Sequence, residues 1–228
     1  MKFVAVVPVK ENSTRVPGKN FKTFSEDLSL FEFKIHQLIQ SNCFDAIYVS
    51  SDSNFAKEIC SNLNINFIRR EAKYCDEKQT TWSDLIFNVV NSIPEQDDTY
   101  ICWAHVTTPL FSRFSEAIET FKSLNKDDFD GLISVLEVKE FFMTDKGRPY
   151  NYSWGVWHEY SQQLENLFRV TYALFIAKKK DMLENRYVTS RKPYLFKCTP
   201  YESVDIDNLY DFKIAQLLYS NKSIFQNL

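Results

Sequence analysis

Short apolar runs alternate with helical patterns along the first half of the chain. Runs of strand length occupy residues 2–7, 46–49, 65–68 and 100–104. Between them, apolar residues recur at helical intervals, and the helices are predicted at 28–39, 53–60, 80–93 and 115–124. Alternation of this kind is typical of βαβ units. The pattern therefore predicts an α/β fold built on one mainly parallel sheet.

The second half of the chain is less regular. A further apolar run lies at 132–138, regular patterning returns at 169–177, and an amphipathic helix is predicted at 211–219. Between them, residues 140–165 combine glycine, proline and many aromatic side chains without a clean period, which predicts an irregular arm. We expect residues 1–228 to form a single domain that carries this arm.

Composition excludes several classes of protein. The net charge is −3 and 44% of the residues are hydrophobic, so a surface that coats nucleic acid is not expected. Apolar runs are too short to span a membrane, and no signal sequence is recognised, which predicts a cytoplasmic protein without a membrane partner. The 5 cysteines lack CxxC spacing, which argues against a zinc site or a disulfide framework.

The loop after the first strand, PVKENSTRVPGKN (8–20), is unusually basic. It places Lys10, Arg15 and Lys19 within ten residues. Three cations so close together repel one another unless an anion shares the space, and a triphosphate would suit them. The plainer alternative is a solvated basic turn. Neither GxxxxGK[ST] nor GxGxxG occurs here, so the usual phosphate-loop and dinucleotide motifs are absent from the sequence.

A second charged motif, Val204-Asp205-Ile206-Asp207, lies near the end of the sequence. Carboxylates two residues apart on an extended segment project to the same side, which suits a Mg²⁺ ion shared with a phosphate. The alternative is a helix start decorated with acids, in which Asp207 or Asn208 caps the helix. Asp211 is expected to favour the helix dipole in either case.

Several motifs, in consistent order, resemble the cytidylyltransferases that activate acidic sugars. The loop 8–20 is similar to their N-terminal signature, with Lys10 in place of the usual Arg and Thr14 in place of the Lys of the sialic-acid branch. Its Ser-Thr-Arg-Val-Pro-Gly-Lys sequence (13–19) is closer to that of the branch that acts on 3-deoxy-manno-octulosonate. Residues 49–52 (VSSD) and Asp76 with Thr80 and Thr81 resemble later motifs of the family.

The loop His105-Val106-Thr107-Thr108-Pro109-Leu110 favours a nonulosonic acid as acceptor. It resembles the QPTSPL loop of the sialic-acid branch, with His105 in place of Gln. Residues 161–164 (SQQL) and 171–176 (TYALFI) resemble the SQDL and NGA[FI]YI motifs, and the departures at Gln163 and at Thr171-Tyr172 leave the identity of the sugar open.

The resemblance implies a Rossmann-like fold of the nucleotide-diphospho-sugar transferase type. It implies transfer of CMP from CTP to the anomeric hydroxyl of an acidic sugar, with release of pyrophosphate and a role in surface glycan biosynthesis such as capsule or lipopolysaccharide. It also implies a Mg²⁺ cofactor and a homodimer in which the arm at 140–165 reaches toward the site of the partner; the alternative for the arm is an aromatic cluster packed over its own domain. His105 is expected either as a general base or as a hydrogen-bond partner of the acceptor. The implied residues are Lys10, Arg15, Lys19 and His105 for catalysis, Ser13, Asn20, Arg69 and Thr80 for CTP, Thr107, Gln162 and Arg169 for the acceptor, and Asp205 and Asp207 for the metal.

Other functions stay open at this stage. The acceptor could be octulosonate or an acid outside the sugar group, such as a phosphonate. Single-Rossmann glycosyltransferases also carry an Asp-x-Asp, which Asp205 and Asp207 fit, although theirs normally follows a mid-domain strand. A non-catalytic nucleotide-binding module is suggested by the departures at Lys10, Thr14 and Gln163.

Overall fold

The computed structural model describes residues 1–13 and 15–225. The strands within this range are β1 (Phe3–Pro8), β2 (Thr23–Ser25), β3 (Leu28–Ser29), β4 (Ala46–Ser51), β5 (Asn66–Arg69), β6 (Tyr100–Trp103), β7 (Gly131–Val138), β8 (Leu167–Lys178) and β9 (Pro193–Lys197). The helices are α1 (Leu30–Ser41), α2 (Asn54–Asn62), α3 (Trp82–Asn91), α4 (Phe114–Ser123), α5 (Lys179–Asn185), α6 (Leu209–Ser220) and α7 (Lys222–Phe225). Each element predicted from periodicity is present, with its ends within about two residues. The hairpin β2–β3, α5, β9 and α7 were not predicted.

One seven-stranded sheet organises the chain, in the order β5-β4-β1-β6-β8-β7-β9. β8 runs antiparallel to both of its neighbours, whereas the remaining neighbours pair in parallel. The predicted α/β fold with a mainly parallel sheet is confirmed. The short strands β2 and β3 form a separate hairpin just before α1.

The polar residues before the helices act as caps. Ser29 Oγ accepts a hydrogen bond from the Glu32 backbone N–H, and the Glu32 carboxylate accepts one from the Ser29 N–H, which forms a capping box at the start of α1. Ser53 and Thr81 cap α2 and α3 through their side chains. These caps fix the points at which the chain leaves the strand ends and enters the helices.

The sheet separates two layers of core side chains. Alternate residues of β1 point to opposite faces, so Phe3, Ala5 and Val7 pack with α1, α2, α4 and α6, whereas Val4 and Val6 pack with α3 and α5. Because both faces of the central strands are covered, β1 and β6 consist almost wholly of buried apolar residues.

The strand order reverses its direction next to β1. From β1 the chain extends to β4 and β5 on one side and then returns to place β6 on the other. The loops that follow β1 and β6 therefore diverge and leave a crevice at the carboxyl ends of these strands. Crevices at such reversals are the usual ligand sites of open α/β sheets.

Residues 140–165 form the irregular arm between β7 and β8. They contain two single 3₁₀ turns, Gly155–Trp157 and Ser161–Gln163, and a small hairpin closed by an isolated bridge between Met143 and Pro149. The assignment of the whole chain to a single domain stays a prediction. Among the described residues, no helix has both the length and the apolar character that a membrane span requires.

Candidate active site

A cavity of about 440 Å³ lies at the crevice between the loops after β1 and β6. Three segments of the chain line it: the basic loop after β1, the turn that follows β5, and the loop after β6. The residues from these segments include Lys10, Ser13, Arg15, Lys19 and Asn20, then Arg70, Tyr74 to Glu77 and Thr80 to Trp82, and finally His105, Val106 and Thr107.

The basic loop is folded so that Lys19 points inward. Gly18 adopts φ +64°, a backbone conformation that side chains disfavour, and it starts the 3₁₀ turn Lys19–Phe21. Lys19 is only 6% exposed, and its Nζ donates a hydrogen bond to the Ile206 carbonyl. The side chain of Asn20 donates to the Lys10 carbonyl at 2.9 Å and closes the loop on itself. Lys19 is thereby held between this loop and the segment that carries the two aspartates.

Each cation of the loop faces a carboxylate. Lys10 Nζ lies 2.6 Å from Glu77 Oε1, and Arg15 Nη2 lies 2.8 Å from Asp207 Oδ1. Burial lowers the pKa of Lys19, while the charges of Asp205 and Asp207 raise it. The three positive charges predicted to meet a phosphate are thus gathered at one cavity and balanced by acidic side chains.

Asp205 and Asp207 lie on the irregular segment between β9 and α6. Ile206 between them is fully buried, and its N–H donates to the Thr107 carbonyl at 2.9 Å. Burial raises the pKa of Asp205, with the Thr107 hydroxyl opposing that shift. Asp205 Oδ1 is buried without a hydrogen-bond partner among the described residues. Asn208 caps α6, as one of the two expected caps, by accepting from the Asp211 N–H, and the Asp211 carboxylate in the first turn accepts from the backbone N–H groups of residues 207 and 208.

The two aspartates fit a divalent cation only in part. Residues 1–13 and 15–225 contain no group of three or more His, Cys, Asp or Glu side chains arranged to hold a metal ion. A hard cation at Asp205 and Asp207 would therefore need further oxygen ligands from a bound phosphate and from water. The unpartnered Asp205 Oδ1 is an oxygen donor available for that purpose.

His105 is held as a neutral imidazole. Its Nε2 lies 3.0 Å from the indole N–H of Trp103, which can only donate, so Nε2 accepts and Nδ1 carries the proton. Burial, followed by the charges of Lys34 and Lys19, lowers the pKa of His105 to about 4. The Nε2 lone pair already accepts the hydrogen bond from Trp103. The geometry therefore favours hydrogen-bond donation by Nδ1–H over the role of general base.

The arginine after β5 that reaches the cavity is Arg70. The Arg69 guanidinium donates to the Asp52 carbonyl and the Asn54 side chain, outside the cavity lining. Arg70 is buried, lines the cavity, and donates to the Val9 carbonyl at 2.7 Å. Adjacent residues of an extended chain point to opposite sides, and the sequence alone did not settle which arginine of this pair faces inward. The structure therefore places Arg70, and not Arg69, in the cavity lining, and the CTP-binding role expected of Arg69 stays a prediction.

The remaining predicted residues divide into two groups. Ser13, Asn20, Thr80 and Thr107 line the cavity as expected. The acceptor candidates Gln162 and Arg169 lie outside its lining, because Gln162 is on the exposed turn of the arm and Arg169 Nη2 donates to Ser203 Oγ at 3.0 Å. Thr14 lies outside the described residues. Glu77 and Trp82 also line the cavity and carry no sequence signal that singles them out, whereas Tyr172, already marked as a departure from the family motif, contacts His105.

Known proteins are similar to this chain over nearly its whole length. A family model described as cytidylyltransferase matches residues 4–226, which confirms the resemblance inferred from the motifs. The N-acylneuraminate cytidylyltransferase of Streptococcus agalactiae serotype III is 25% identical over 221 residues, covering 93% of this chain and 52% of that protein. The pseudaminic acid cytidylyltransferase of Campylobacter jejuni serotype O:2 is 22% identical over 226 residues, covering 96% and 97%. The chain thus spans about half the length of the streptococcal relative it matches.

A solved structure shares the fold. CMP-2-keto-3-deoxy-manno-octonic acid synthetase, complexed with CTP, matches with a TM-score of 0.67 and 10% identity, covering 97% of this chain and 100% of that one. At this identity the likeness concerns the arrangement of the strands and helices alone.

Proposed function

Because the chain belongs to the cytidylyltransferase family, we propose that it transfers CMP from CTP to the anomeric hydroxyl of an acidic sugar of the nonulosonic acid class. The observation that carries this proposal is the meeting of Lys10, Arg15 and Lys19 with Asp205 and Asp207 at the crevice beside β1. The names of the relatives, which act on acylneuraminate and pseudaminic acid, support this acceptor class. The product would be a CMP-activated sugar for surface glycan assembly.

In the proposed reaction the anomeric hydroxyl oxygen of the acidic sugar forms a bond to the α-phosphorus of CTP. The bond from that phosphorus to the oxygen bridging to the β-phosphate breaks, and pyrophosphate leaves with the electron pair while the hydroxyl proton passes to solvent. Such transfers need positioning and charge neutralisation more than covalent catalysis. Lys10, Arg15 and Lys19 would bind the triphosphate and stabilise the negative charge that develops on pyrophosphate.

Asp205 and Asp207 would hold a Mg²⁺ ion. The support is the pair of carboxylates on one short segment and the buried, unpartnered Asp205 Oδ1. When bound, the cation would neutralise charge on the phosphate oxygens. Arg15 bridges to Asp207 at 2.8 Å, so the residues for the metal and for the triphosphate adjoin.

The two substrates would occupy different parts of the crevice. Ser13, Asn20, Arg70 and Thr80 would surround the cytidine. On the β6 side, His105 and Thr107 would meet the acceptor, with His105 Nδ1–H as a hydrogen-bond donor. Octulosonate is the second candidate acceptor, favoured by the Ser-Thr-Arg-Val-Pro-Gly-Lys sequence of residues 13–19.

The arm is the proposed contact of a homodimer. Large apolar side chains are exposed along it, including Trp154, Trp157 and Tyr160. Exposed patches of this kind commonly mark protein–protein contacts, and a second copy of the chain is the partner we propose.

The test of the proposed reaction is release of pyrophosphate from CTP and Mg²⁺ with N-acetylneuraminate, pseudaminate, legionaminate or octulosonate supplied singly. We expect one nonulosonic acid to give the highest kcat/KM. Lys19→Met and Asp207→Asn should each lower turnover at least about 100-fold, since both remove charge neutralisation from the transition state.

Matched controls separate this effect from misfolding. Lys57→Met and Asp98→Asn make the same changes at exposed positions outside the cavity lining and should keep wild-type turnover. Near-normal turnover in Lys19→Met or Asp207→Asn, with thermal unfolding unchanged, would contradict the assigned roles. Consumption of a nucleotide sugar would favour a glycosyltransferase, and CTP binding without pyrophosphate release would favour a binding module.

A further inference from the structure

An unusual bulge in β8 lies beside the end of β6. β8 pairs with β6 only as far as the partners Trp103 and Phe175. Along β7, partners advance from Ile133 to Val135 while those on β8 advance from Phe175 to Val170, so β8 contains extra residues at this point. Bulges of this kind re-aim a side chain and are frequent beside active sites. The one in β8 places the Tyr172 ring against His105.

Tyr172, in the middle of this bulge, has a backbone conformation that tyrosine disfavours. Its φ is +58°, in the left-handed region that glycine adopts readily and side chains with a Cβ resist. Such a conformation persists only where the surrounding structure imposes it.

The buried Ser134 hydroxyl on β7 imposes that conformation. It accepts hydrogen bonds from the Leu174 N–H at 2.9 Å and from the Thr171 hydroxyl at 2.8 Å. Ser134, Thr171 and Leu174 are all fully buried, so water does not compete for these bonds. The bulge is therefore held on both sides of Tyr172.

The result of this anchoring is a ring of aromatic contacts around His105. The Tyr172 ring contacts the His105 imidazole edge-on, with ring centroids 5.6 Å apart. The Trp82 ring stacks on the same imidazole, with centroids 6.0 Å apart. The Trp103 indole N–H donates a hydrogen bond to His105 Nε2. Nδ1–H is the polar group of the imidazole left without a hydrogen bond to the described protein residues.

We propose that Tyr172 is a positioning residue that fixes the orientation of His105, so that Nδ1–H is presented to the acceptor. The hydrogen bond from Nδ1–H to the acceptor rests on the proposed function. The orientation of the His105 imidazole by Tyr172 does not depend on it. Tyr172 is 37% exposed, so it stands between the imidazole and solvent. Removing its ring would let water reach His105 and let the imidazole rotate.

The kinetic test compares Tyr172→Gly with Tyr172→Phe. Glycine accepts φ +58° and should keep the fold, yet it removes the ring; phenylalanine keeps the ring. We expect Tyr172→Gly to raise the KM for the acceptor at least about tenfold while the KM for CTP stays within about twofold. Tyr172→Phe should retain wild-type values. Asn42→Gly, which replaces another left-handed residue at the end of α1, is the control and should change neither KM.

A second measurement does not depend on catalysis. Imidazole NMR signals of the 3 histidines can be followed with pH, with His105→Gln providing the assignment. The His105 signal should stay neutral near pH 5 in the wild type and in Tyr172→Phe, and titrate at a higher pH in Tyr172→Gly. Identical titration of His105 in all three proteins would overturn the positioning role. If wild type releases no pyrophosphate with any acid but the titration shifts as expected, the proposed function fails and the positioning of His105 stands.

Discussion

At the scale of single residues, two cations of the basic loop, Lys10 and Arg15, are paired with carboxylates. Lys10 contacts Glu77 at 2.6 Å, and the hydrogen bond from Lys10, followed by its charge, lowers the pKa of Glu77. Glu77 is highly exposed and lines the mouth of the cavity. In the proposed reaction its carboxylate would compete with a phosphate of CTP for Lys10.

This pairing predicts that Glu77→Gln tightens CTP binding. The substitution keeps the shape of the side chain but removes a charge that competes for Lys10 and repels the triphosphate. Since an exposed ion pair contributes up to about 1 kcal/mol, we expect the Kd for CTP with Mg²⁺ to fall about threefold to fivefold, measured by calorimetry.

The control for Glu77→Gln is Glu71→Gln. Glu71 also pairs with a lysine, Lys73, at 2.9 Å, but neither residue lines the cavity. Glu71→Gln should leave the Kd for CTP unchanged. Weaker CTP binding in Glu77→Gln would mean that the carboxylate assists the nucleotide instead of competing with it.

At the scale of secondary-structure elements, α1 holds the loop between β6 and α4. Lys34 Nζ donates to the Thr108 carbonyl at 2.8 Å, and Gln37 Nε2 donates to the Pro109 carbonyl at 2.7 Å. Lys34 is fully buried, and no ion pair with it is found among the described residues. The loop that carries His105 and Thr107 is thus fastened from behind by a helix.

Burial lowers the pKa of Lys34 from 10.5 to about 7, which predicts a particular pH dependence of stability. Between these two values the unfolded chain binds more protons at Lys34 than the folded chain, so the free energy of unfolding rises with pH. Compared with Lys34→Met, the wild type should gain up to about 1.4 kcal/mol per pH unit from pH 7 to pH 9 in urea unfolding.

Titrating groups that do not interact with Lys34 cancel in the difference between the two proteins. Lys57→Met, at an exposed position of α2, serves as the control and should show no such slope. A difference between wild type and Lys34→Met that stays constant across this pH range would show that Lys34 keeps an ordinary pKa in the folded protein.

At the scale of the whole molecule, the arm at residues 140–165 exposes several large apolar side chains. Val156 is 91% exposed and Trp157 is 77% exposed, within a segment that makes few regular backbone pairs. Side chains of this size are costly to leave in water. A second chain that covers them would lower that cost, which is the physical basis of the proposed homodimer.

The double substitution Val156→Ser with Trp157→Ser should therefore convert a dimer into a monomer. Light scattering coupled to size exclusion measures the mass directly, and the wild type is expected at the mass of two chains. Tyr210→Ser, which changes an exposed aromatic residue of α6 outside the arm, should leave the dimer intact. A wild type that runs as a monomer at every concentration would contradict the proposal.

Much of the fold follows from the sequence because its signals are local. Apolar runs of strand length, helical periodicity and the caps Ser29, Ser53 and Thr81 act over a few residues, and the predicted strands and helices match the structure accordingly. The cations of the loop after β1 and the aspartates at 205 and 207 were identified in the same way, from short motifs. The cations line the cavity and the aspartates adjoin them through Arg15 and Lys19, because both segments follow the carboxyl edge of the sheet.

Other features of the site depend on contacts between segments that lie far apart in the sequence. The choice of Arg70 over Arg69 depends on which side of the chain faces the cavity, and the placement of Gln162 and Arg169 outside the cavity lining depends on how the arm and β8 leave the sheet. The left-handed conformation of Tyr172 comes from Ser134, some 40 residues earlier on a neighbouring strand. Sequence patterns determine which residues carry the chemistry, whereas strand register and packing determine which of them face one another.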